Sequence, residues 1–438
     1  MNRREFLKGA LTAAALAPIA KLAAKAGADG NKSSDLAKGP QVTRRQYRNT
    51  GLTLPMLGFG MMRLPTLGPG NPEIDYATVE KQIARALEAG VNYFDTAYFY
   101  HGGRSEKCAG DLLSKFPRDS YYLTSKMPVR ALRKAEDVPR IFEEQLKKCK
   151  TEYFDFYLVH NLNAARWKDT IRFKVYEYLL EQKKKGRIRK LGFSFHDKPE
   201  VLEIIAKAHP WDFAQIQLNY LDWEFYRSRE QYDILVKYNI PAIIMEPLKG
   251  GALATLNKES VEVLRKADPK VSPASWAFRY VGSLPNVICI LSGMTLMEHL
   301  EDNIRTFTDF KPLTDAERKV VAEALAVYQK THLVPCTDCR YCMPCPAGVN
   351  IPRNFKVYNQ FRISSRADRF MDQYNGLPED QRASECVNCG ACLKKCPQKI
   401  NIPAELKKIA AEANKTSGRG RRRRRNAMIG FPADEEFV

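Results

Sequence analysis

Three things are missing from this 438-residue chain, and each absence removes a class of protein. There is no uninterrupted apolar run long enough to span a membrane. The most apolar stretch lies near the amino terminus and is broken by Pro18 and Lys21, whereas a spanning helix needs about 20 apolar residues in succession. There is no G-x-G-x-x-G after the first strand-like run, the turn on which open dinucleotide-binding sheets seat a pyrophosphate. Acid is also in deficit, with 50 Asp and Glu against 70 Lys and Arg and a formal charge of +20. What is present excludes disorder of the whole chain. The apolar fraction of 44% supplies a sizeable core, and the length suits two or three folded units at roughly 150 residues each.

The basic excess is partly made by the ends. Residues 1–28 carry a net +4 and residues 415–438 another +4, which leaves +12 on the body between them. Residues 1–28 (MNRREFLKGALTAAALAPIAKLAAKAGA) combine a basic start, a modestly apolar stretch and a small-residue site at Ala26, Gly27 and Ala28. That composition describes an export signal. The run Arg3-Arg4-Glu5-Phe6-Leu7-Lys8 resembles a twin-arginine signal, an address read by a receptor. The resemblance implies export of an already folded protein, with the periplasm as destination and no transmembrane segment in the mature chain. An amphipathic helix is the alternative for this segment. Residues 29–45 then read as a polar linker. At the far end, Arg419 and Arg421–Arg425 lie in a basic tail, 411–438. Like-charged runs are usually solvated, which favours surface electrostatics or anionic lipid over nucleic acid as its role.

From 46 to 312, short apolar runs alternate with amphipathic helical stretches. The runs are 56–60, 91–94, 121–125, 154–159, 189–194, 213–218, 240–245 and 286–291, and helical patterns cover 77–89, 136–149, 170–185 and 198–208. Eight strand-like runs separated by helices match an α/β (β/α)8 barrel in size and rhythm. A doubly wound open sheet is the alternative, and the missing glycine motif counts against it. Residues 46–55 look like a hairpin turning at Asn49-Thr50-Gly51, placed to close the barrel floor.

In such a barrel, chemistry belongs at the carboxyl ends of the strands. Asp95 follows the second run, Lys126 ends the third and His160 ends the fourth, with Tyr93, Tyr98 and Tyr100 close to Asp95. A phenol has an ordinary pKa of about 10, and a neighbouring ammonium lowers it by favouring phenolate. Asp95 would hold that ammonium, and His160 would donate a hydrogen bond to a carbonyl oxygen. Such a set protonates an oxygen as negative charge develops on it, as carbonyl reduction by hydride requires. Each residue alone has a plainer reading: a helix-capping Asp, a solvated Lys, a core His. Their joint placement at successive strand ends is what carries chemistry. Composition does not choose among the three tyrosines.

Residues 46–308 resemble the aldo-keto reductases. The resemblance is carried by Leu57-Gly58-Phe59-Gly60, by the run Gly90 to Ala97 with Tyr100 five residues after Asp95, and by Glu106. It extends through Thr124-Ser125-Lys126, the strand from Asp155 to His160, Glu246-Pro247-Leu248 and Gly250-Gly251. It implies catalytic roles for Asp95, Tyr100, Lys126 and His160, and so selects Tyr100. It also implies a nicotinamide cofactor, NADP or NAD, bound without a Rossmann domain. Ser194 and Gln215 would hold its carboxamide. Glu246, Leu248, Lys249, Ser292, Gly293 and Met294 would approach the phosphates, and Asn303 the adenine. Three departures stand out. Met245 replaces the tyrosine that usually stacks on the nicotinamide, Phe195 replaces an Asn beside Ser194, and Gly293 and His299 occupy places usually basic. Without a guanidinium or ammonium there, selection of a 2′-phosphate has no evident means.

Eight of the eleven cysteines fall in two runs; Cys108, Cys149 and Cys289 are scattered elsewhere. Cys336, Cys339, Cys342 and Cys345 form C-x2-C-x2-C-x2-C-P, and Cys386, Cys389, Cys392 and Cys396 form C-x2-C-x2-C-x3-C-P. The second run matches the bacterial ferredoxin pattern, in which the fourth cysteine ligates the other cluster. An internal repeat, CPAGVNIP (345–352) against CPQKINIP (396–403), pairs the two runs. Zinc and disulfides are the competing readings. Two [4Fe–4S] clusters fit the spacing better, with Cys336, Cys339 and Cys342 sharing one cluster with Cys396, and Cys386, Cys389 and Cys392 the other with Cys345. The segment 313–410 therefore reads as a connecting helix, opened by Thr314, and a ferredoxin-like domain. Aromatic residues Phe355, Tyr358, Phe361, Phe370 and Tyr374 supply its core. The whole chain thus resembles the subset of aldo-keto reductases that carry such a domain.

The sequence expectation is an oxidoreductase moving hydride between a nicotinamide and a small carbonyl or alcohol, with clusters that pass electrons to a redox partner protein or brace the fold. The alternative is an iron–sulfur electron-transfer protein whose barrel is a non-catalytic scaffold.

Overall fold

A computed structural model of the chain describes Lys32 and residues 36–48, 50–68, 71–330, 333–364 and 367–428. The twin-arginine segment, most of the linker, Asn49 and the last ten residues lie outside the described residues. The chain divides into two compact units. The first holds Met1–Gln217, Arg227–Met245 and Leu284–Phe310, and the second holds Leu218–Tyr226, Glu246–Ser283 and Lys311–Val438.

In the first unit, strands β1 (Arg44–Gln46) and β2 (Thr53–Pro55) form an antiparallel hairpin. Strand β3 (Leu57–Gly60) follows, then a small ribbon, β4 (Thr66–Gly68) and β5 (Asn71–Ile74). The remaining strands are β6 (Tyr93–Asp95), β7 (Tyr122–Met127), β8 (Phe154–Leu162), β9 (Ile188–Phe195), β10 (Phe213–Gln217), β11 (Ala242–Met245) and β12 (Val287–Ser292). With β3 they close into a parallel eight-stranded barrel in sequence order. Each of the eight apolar runs in the sequence supplies one strand. β6, β7, β8 and β10 are buried along their whole length, as expected of strands covered on both faces.

The barrel is filled from below. Tyr47, Leu52 and Leu54 of the hairpin pack in one cluster with Tyr93, Phe156, Phe213, Ile243, Cys289 and Leu291. Phe156 is its centre, meeting Tyr47, Tyr93, Tyr122 and Phe213 edge-on at centroid separations of 5.1–6.4 Å. Each such ring gains about 1.5–3 kcal/mol from burial. The hairpin thus closes the floor, and the polar chemistry is left to the opposite end.

The helices follow the amphipathic stretches, with one difference. The predicted helix over 170–185 is two helices, Ala164–Arg172 and Val175–Lys184. Lys174 between them adopts φ +52°, a left-handed conformation that a continuous helix does not contain. Residue spacing did not reveal this break.

The second unit holds Lys258–Ala267, Pro273–Gly282 and Asp315–Gln329, packed through Leu264, Trp276, Val321 and Tyr328. Thr314 and Glu317 form a reciprocal capping box at the start of the last of these. The repeat seen in sequence is also a repeat in structure. Helices Ile351–Ser364 and Ile402–Met428 both begin at the Ile of their N-I-P segment. Gly348 and Lys399, each three residues after its Cys, are both left-handed, at φ +78° and +53°. Phe355, Tyr358, Phe370 and Tyr374 are buried between them, with Phe361 packed against the same core. The Arg-rich run, read from sequence as a solvated tail, continues the last helix to Met428.

Candidate active site and cysteine rings

Asp95 ends β6 and pairs in register with Gly60 of β3 and Thr124 of β7. Two residues further along β7 stands Lys126, 0% exposed. Its Nζ lies 2.5 Å from Asp95 Oδ1, 2.8 Å from the Thr96 carbonyl and 3.2 Å from the Tyr100 hydroxyl. Asp95 Oδ2 accepts a second bond from Gln215 Nε2 at 3.1 Å. The acid, the amine and the phenol predicted from sequence are therefore in direct contact.

His160 faces Tyr100 edge-on, with ring centroids 6.1 Å apart. The β8–β9 register shifts between Val159 and Leu162, and Asn161 is left-handed at φ +57°. A bulge here re-aims a side chain at the strand end, and His160 sits in it. Burial holds the His160 pKa well below the ordinary histidine value, helped by the nearby charges of Lys126, Arg130, His196 and Arg166. It is a neutral imidazole able to donate one hydrogen bond.

The three tyrosines near Asp95 part in space. Tyr93 lies in the barrel floor, and burial raises its pKa well above the ordinary value. Tyr98 points to Glu144, 3.4 Å from its hydroxyl. Tyr100 meets the ammonium.

Behind Lys126 lies a buried network that residue spacing did not disclose. Gln145 Nε2 reaches the Lys126 carbonyl and Ser125 Oγ, each at 3.0 Å, and also Glu106 Oε1. Ser125 Oγ donates to Glu106 at 2.6 Å, and the Tyr157 hydroxyl donates to Gln145 Oε1. These bonds fix the end of β7, and so the position of the ammonium. Asn161 and Arg166 were likewise missed: Arg166 Nη1 donates to the carbonyl and the side chain of Asn161, both at 2.9 Å. Neither contact follows a sequence period.

Of the residues expected to hold a cofactor, Ser194 and Gln215 are register partners on β9 and β10. Ser194 Oγ accepts from Asn161 N at 2.7 Å. Its hydroxyl proton and the Gln215 Oε1 remain suited to the carbonyl and amino groups of a carboxamide, so the donor set fits one. Met245 ends β11, half-buried. Asn303 Nδ2 donates to Ser292 Oγ at 3.0 Å, Met294 is buried, and a Cβ on Gly293 would stand 2.9 Å from Arg63 Cβ. In the second unit, Glu246 and Lys249 are both left-handed, at φ +56° and +49°, on either side of Leu248. Lys249 is buried; its Nζ bonds Asp222 Oδ1 at 2.7 Å and Gln398 Oε1 at 2.6 Å.

The cysteines form two rings. Cys336, Cys339, Cys342 and Cys396 line one cavity, and Cys345, Cys386, Cys389 and Cys392 line another. Ile351 borders both. Within the runs, Asp338, Arg340, Asn388 and Gly390 are left-handed, one in each of the first two C-x2-C turns of either run, and Asp338 N donates to Cys336 Sγ at 3.4 Å. Among the described residues no His, Cys, Asp or Glu group closes on a single metal ion; the rings surround open space. Burial pushes the Cys336 and Cys342 thiols up to about 12 and Cys339 to about 11. Such thiols become thiolates where a bound cation replaces the proton. The donor set therefore fits two iron–sulfur cubes. Cys108, Cys149 and Cys289 are buried elsewhere.

A parallel barrel with this polar set at its mouth, in one chain with paired four-cysteine rings, defines an oxidoreductase equipped with an iron–sulfur module. Comparison with known proteins names the family. The model of the aldo/keto reductase family matches residues 56–326, and that of a 4Fe-4S dicluster domain matches residues 335–400. The chain belongs to the aldo/keto reductase family.

Its curated relatives include a 9,11-endoperoxide prostaglandin H2 reductase of Trypanosoma cruzi, 26% identical over 63% of this chain and 89% of that protein. An L-galactose dehydrogenase of Arabidopsis thaliana is 23% identical over 66% of this chain and 95% of that protein. Among solved structures, the holo form of an aldo-keto reductase from Bacillus halodurans superposes with a TM-score of 0.54 at 22% identity, covering 65% of this chain and 96% of that one. That likeness is one of fold. Among the described residues no helix is long and apolar enough to cross a membrane.

Proposed function

We propose that the barrel catalyses nicotinamide-dependent interconversion of a small carbonyl and its alcohol, with Tyr100 as the proton donor in reduction. The contact that supports this most directly is Lys126 Nζ, bonded to Asp95 and reaching Tyr100 at the same time. The ammonium favours phenolate over phenol, so the Tyr100 proton moves as negative charge builds on the substrate oxygen. Asp95 fixes the ammonium, and Gln215 fixes Asp95. Neutral His160 donates to the same substrate oxygen and aligns it. When bound, the nicotinamide supplies the hydride; Ser194 and Gln215 hold its carboxamide, and Ser292, Gly293, Met294 and Asn303 lie on its phosphate and adenine side. Two [4Fe–4S] clusters, one per cysteine ring, pass electrons or brace the second unit.

Fluorescence titration of the anaerobically purified, cluster-loaded protein with NADH and NADPH tests the cofactor. Turnover of an aldehyde panel by the native chain and by Tyr100→Phe tests the donor. Binding of either nucleotide and loss of turnover in the variant are expected. Failure of both nucleotides to bind, with turnover unmoved by Tyr100→Phe, would sink the reading.

Residues 1–28 act in this proposal as a twin-arginine export signal that delivers the folded, cofactor-loaded protein to the periplasm. Amino-terminal sequencing of the chain from a periplasmic fraction checks it. A chain still beginning at Met1, confined to the cytoplasm, would refute it.

A further inference from the structure

The two cysteine rings differ in their exposure to solvent. Around the first, Cys342 is buried and Cys336, Cys339 and Cys396 are half-buried. Around the second, Cys389 is exposed, and large apolar side chains face water beside it. Val387 is 70% exposed and Leu393 is 42% exposed. A single exposed apolar residue needs no explanation. Here Val387 and Cys389 both line the second cavity, and Leu393 Cδ1 stands 3.6 Å from the place of a Cβ on Gly390, between two ring cysteines.

The charge around them has one dominant sign. Lys394 and Lys395 follow Leu393 in the same short turn and are exposed, as is Lys399. The acid of this stretch, Glu385, accepts from Ser384 Oγ at 2.9 Å. An apolar centre with a charged rim is the composition of a protein interface, and a cationic rim steers an anionic partner toward it.

We propose that Val387, Cys389 and Leu393, rimmed by Lys394 and Lys395, form the docking surface for a small acidic one-electron carrier protein. The second cluster is then the port by which electrons enter the chain. The proposal rests on the reading that both rings hold clusters. In the step, the reduced carrier loses one electron and the second cluster gains it; no bond forms or breaks, and no proton has to move. The first cluster is the next stop, since Ile351 borders both cavities.

Anaerobic stopped-flow reduction of the full, cluster-loaded chain tests this with two probes, a reduced acidic flavodoxin and reduced methyl viologen. Reduction by flavodoxin is expected to slow about tenfold from low to high salt, because steering is screened. Lys394→Glu with Lys395→Glu is expected to slow it about tenfold at low salt, and Leu393→Ser to slow it at every salt concentration. Viologen rates and iron per chain stay at native values in both variants, since every altered side chain is exposed. A flavodoxin rate that is unchanged or raised by the charge reversal, with the viologen rate native, would overturn the docking surface while leaving the clusters standing. Inability of viologen to bleach the native protein would instead overturn the two-cluster reading, and the proposal with it.

Discussion

Lys126→Met removes the cation bonded to both Asp95 and Tyr100 while keeping an unbranched side chain in its buried slot. Two costs follow, and they separate. Asp95 is left buried with the Gln215 amide at 3.1 Å as its remaining donor described here, and breaking a buried ion pair from one side costs about 3–5 kcal/mol. Tyr100 loses the charge that stabilises its phenolate, and removal of such acid–base assistance costs about 10²–10⁴ in rate. At about 1.4 kcal/mol per decade that is some 3–5 kcal/mol of barrier. Adding Asp95→Asn discharges the stranded carboxylate, so the double variant recovers stability and not turnover. Unfolding followed through Trp167 and Trp211 of the first unit reads stability, and aldehyde turnover at saturating cofactor reads the barrier. A coupling of about 2 kcal/mol between the two substitutions is expected, and additivity within about 0.5 kcal/mol would refute the buried pair. Turnover by Lys126→Met within about threefold of native would refute its catalytic role.

Three more outcomes are expected. Cys396→Ser should damage the cluster of Cys336, Cys339 and Cys342, and Cys345→Ser the other, each leaving about four iron atoms per chain with distinct paramagnetic spectra; identical residual spectra would contradict the crossed rings. His160 is held neutral in the folded chain, so the unfolded chain binds more protons below the ordinary value of about 6.5 and stability falls as pH drops, by at most about 1.4 kcal/mol per pH unit. His160→Gln should flatten the acid side of a plot of Tm against pH, and an unchanged slope would count against the burial argument. Gly250→Ala would set a Cβ 2.6 Å from Thr337 Cα at φ +66°. It should destabilise the second unit by about 1–3 kcal/mol and speed iron loss under chelator, whereas native iron retention would show that the Thr337 segment yields easily.

The barrel was legible because its signal is local. Each strand is an apolar run and each run yielded a strand, and even the hairpin under the floor followed from turn residues and two short strands. Asp95, Lys126 and His160 were legible for the same reason: they stand where apolar runs stop. The choice of Tyr100 was not local. Tyr93, Tyr98 and Tyr100 share one short stretch, and they part only in space, one into the floor, one to Glu144 and one to the ammonium. The Glu106–Ser125–Gln145 network, the bulge at His160 and the break at Lys174 were illegible, because each is set by contacts between distant segments or by a single left-handed residue. The ion pair of Lys32 with Asp155, 2.7 Å apart and buried, belongs with them. Nothing in a polar linker marks one lysine for burial.

Lys249 shows where spacing and structure part most instructively. By its place after the seventh barrel strand it reads as a lysine for a phosphate, and its neighbours Glu246, Pro247 and Leu248 agree. In the second unit its ammonium is committed instead to Asp222 and Gln398, and Gln398 lies two residues beyond Cys396 of the first ring. The same loop is fastened once more, where Gly250 packs against Thr337 inside the first C-x2-C, and a separate segment is fastened by the Tyr226 hydroxyl, which donates to the Pro397 carbonyl at 3.0 Å. A loop held this way is shaped by the segments that carry the cysteines. Three contacts thus join Lys249, Gly250 and Tyr226 to the segments that carry the first ring.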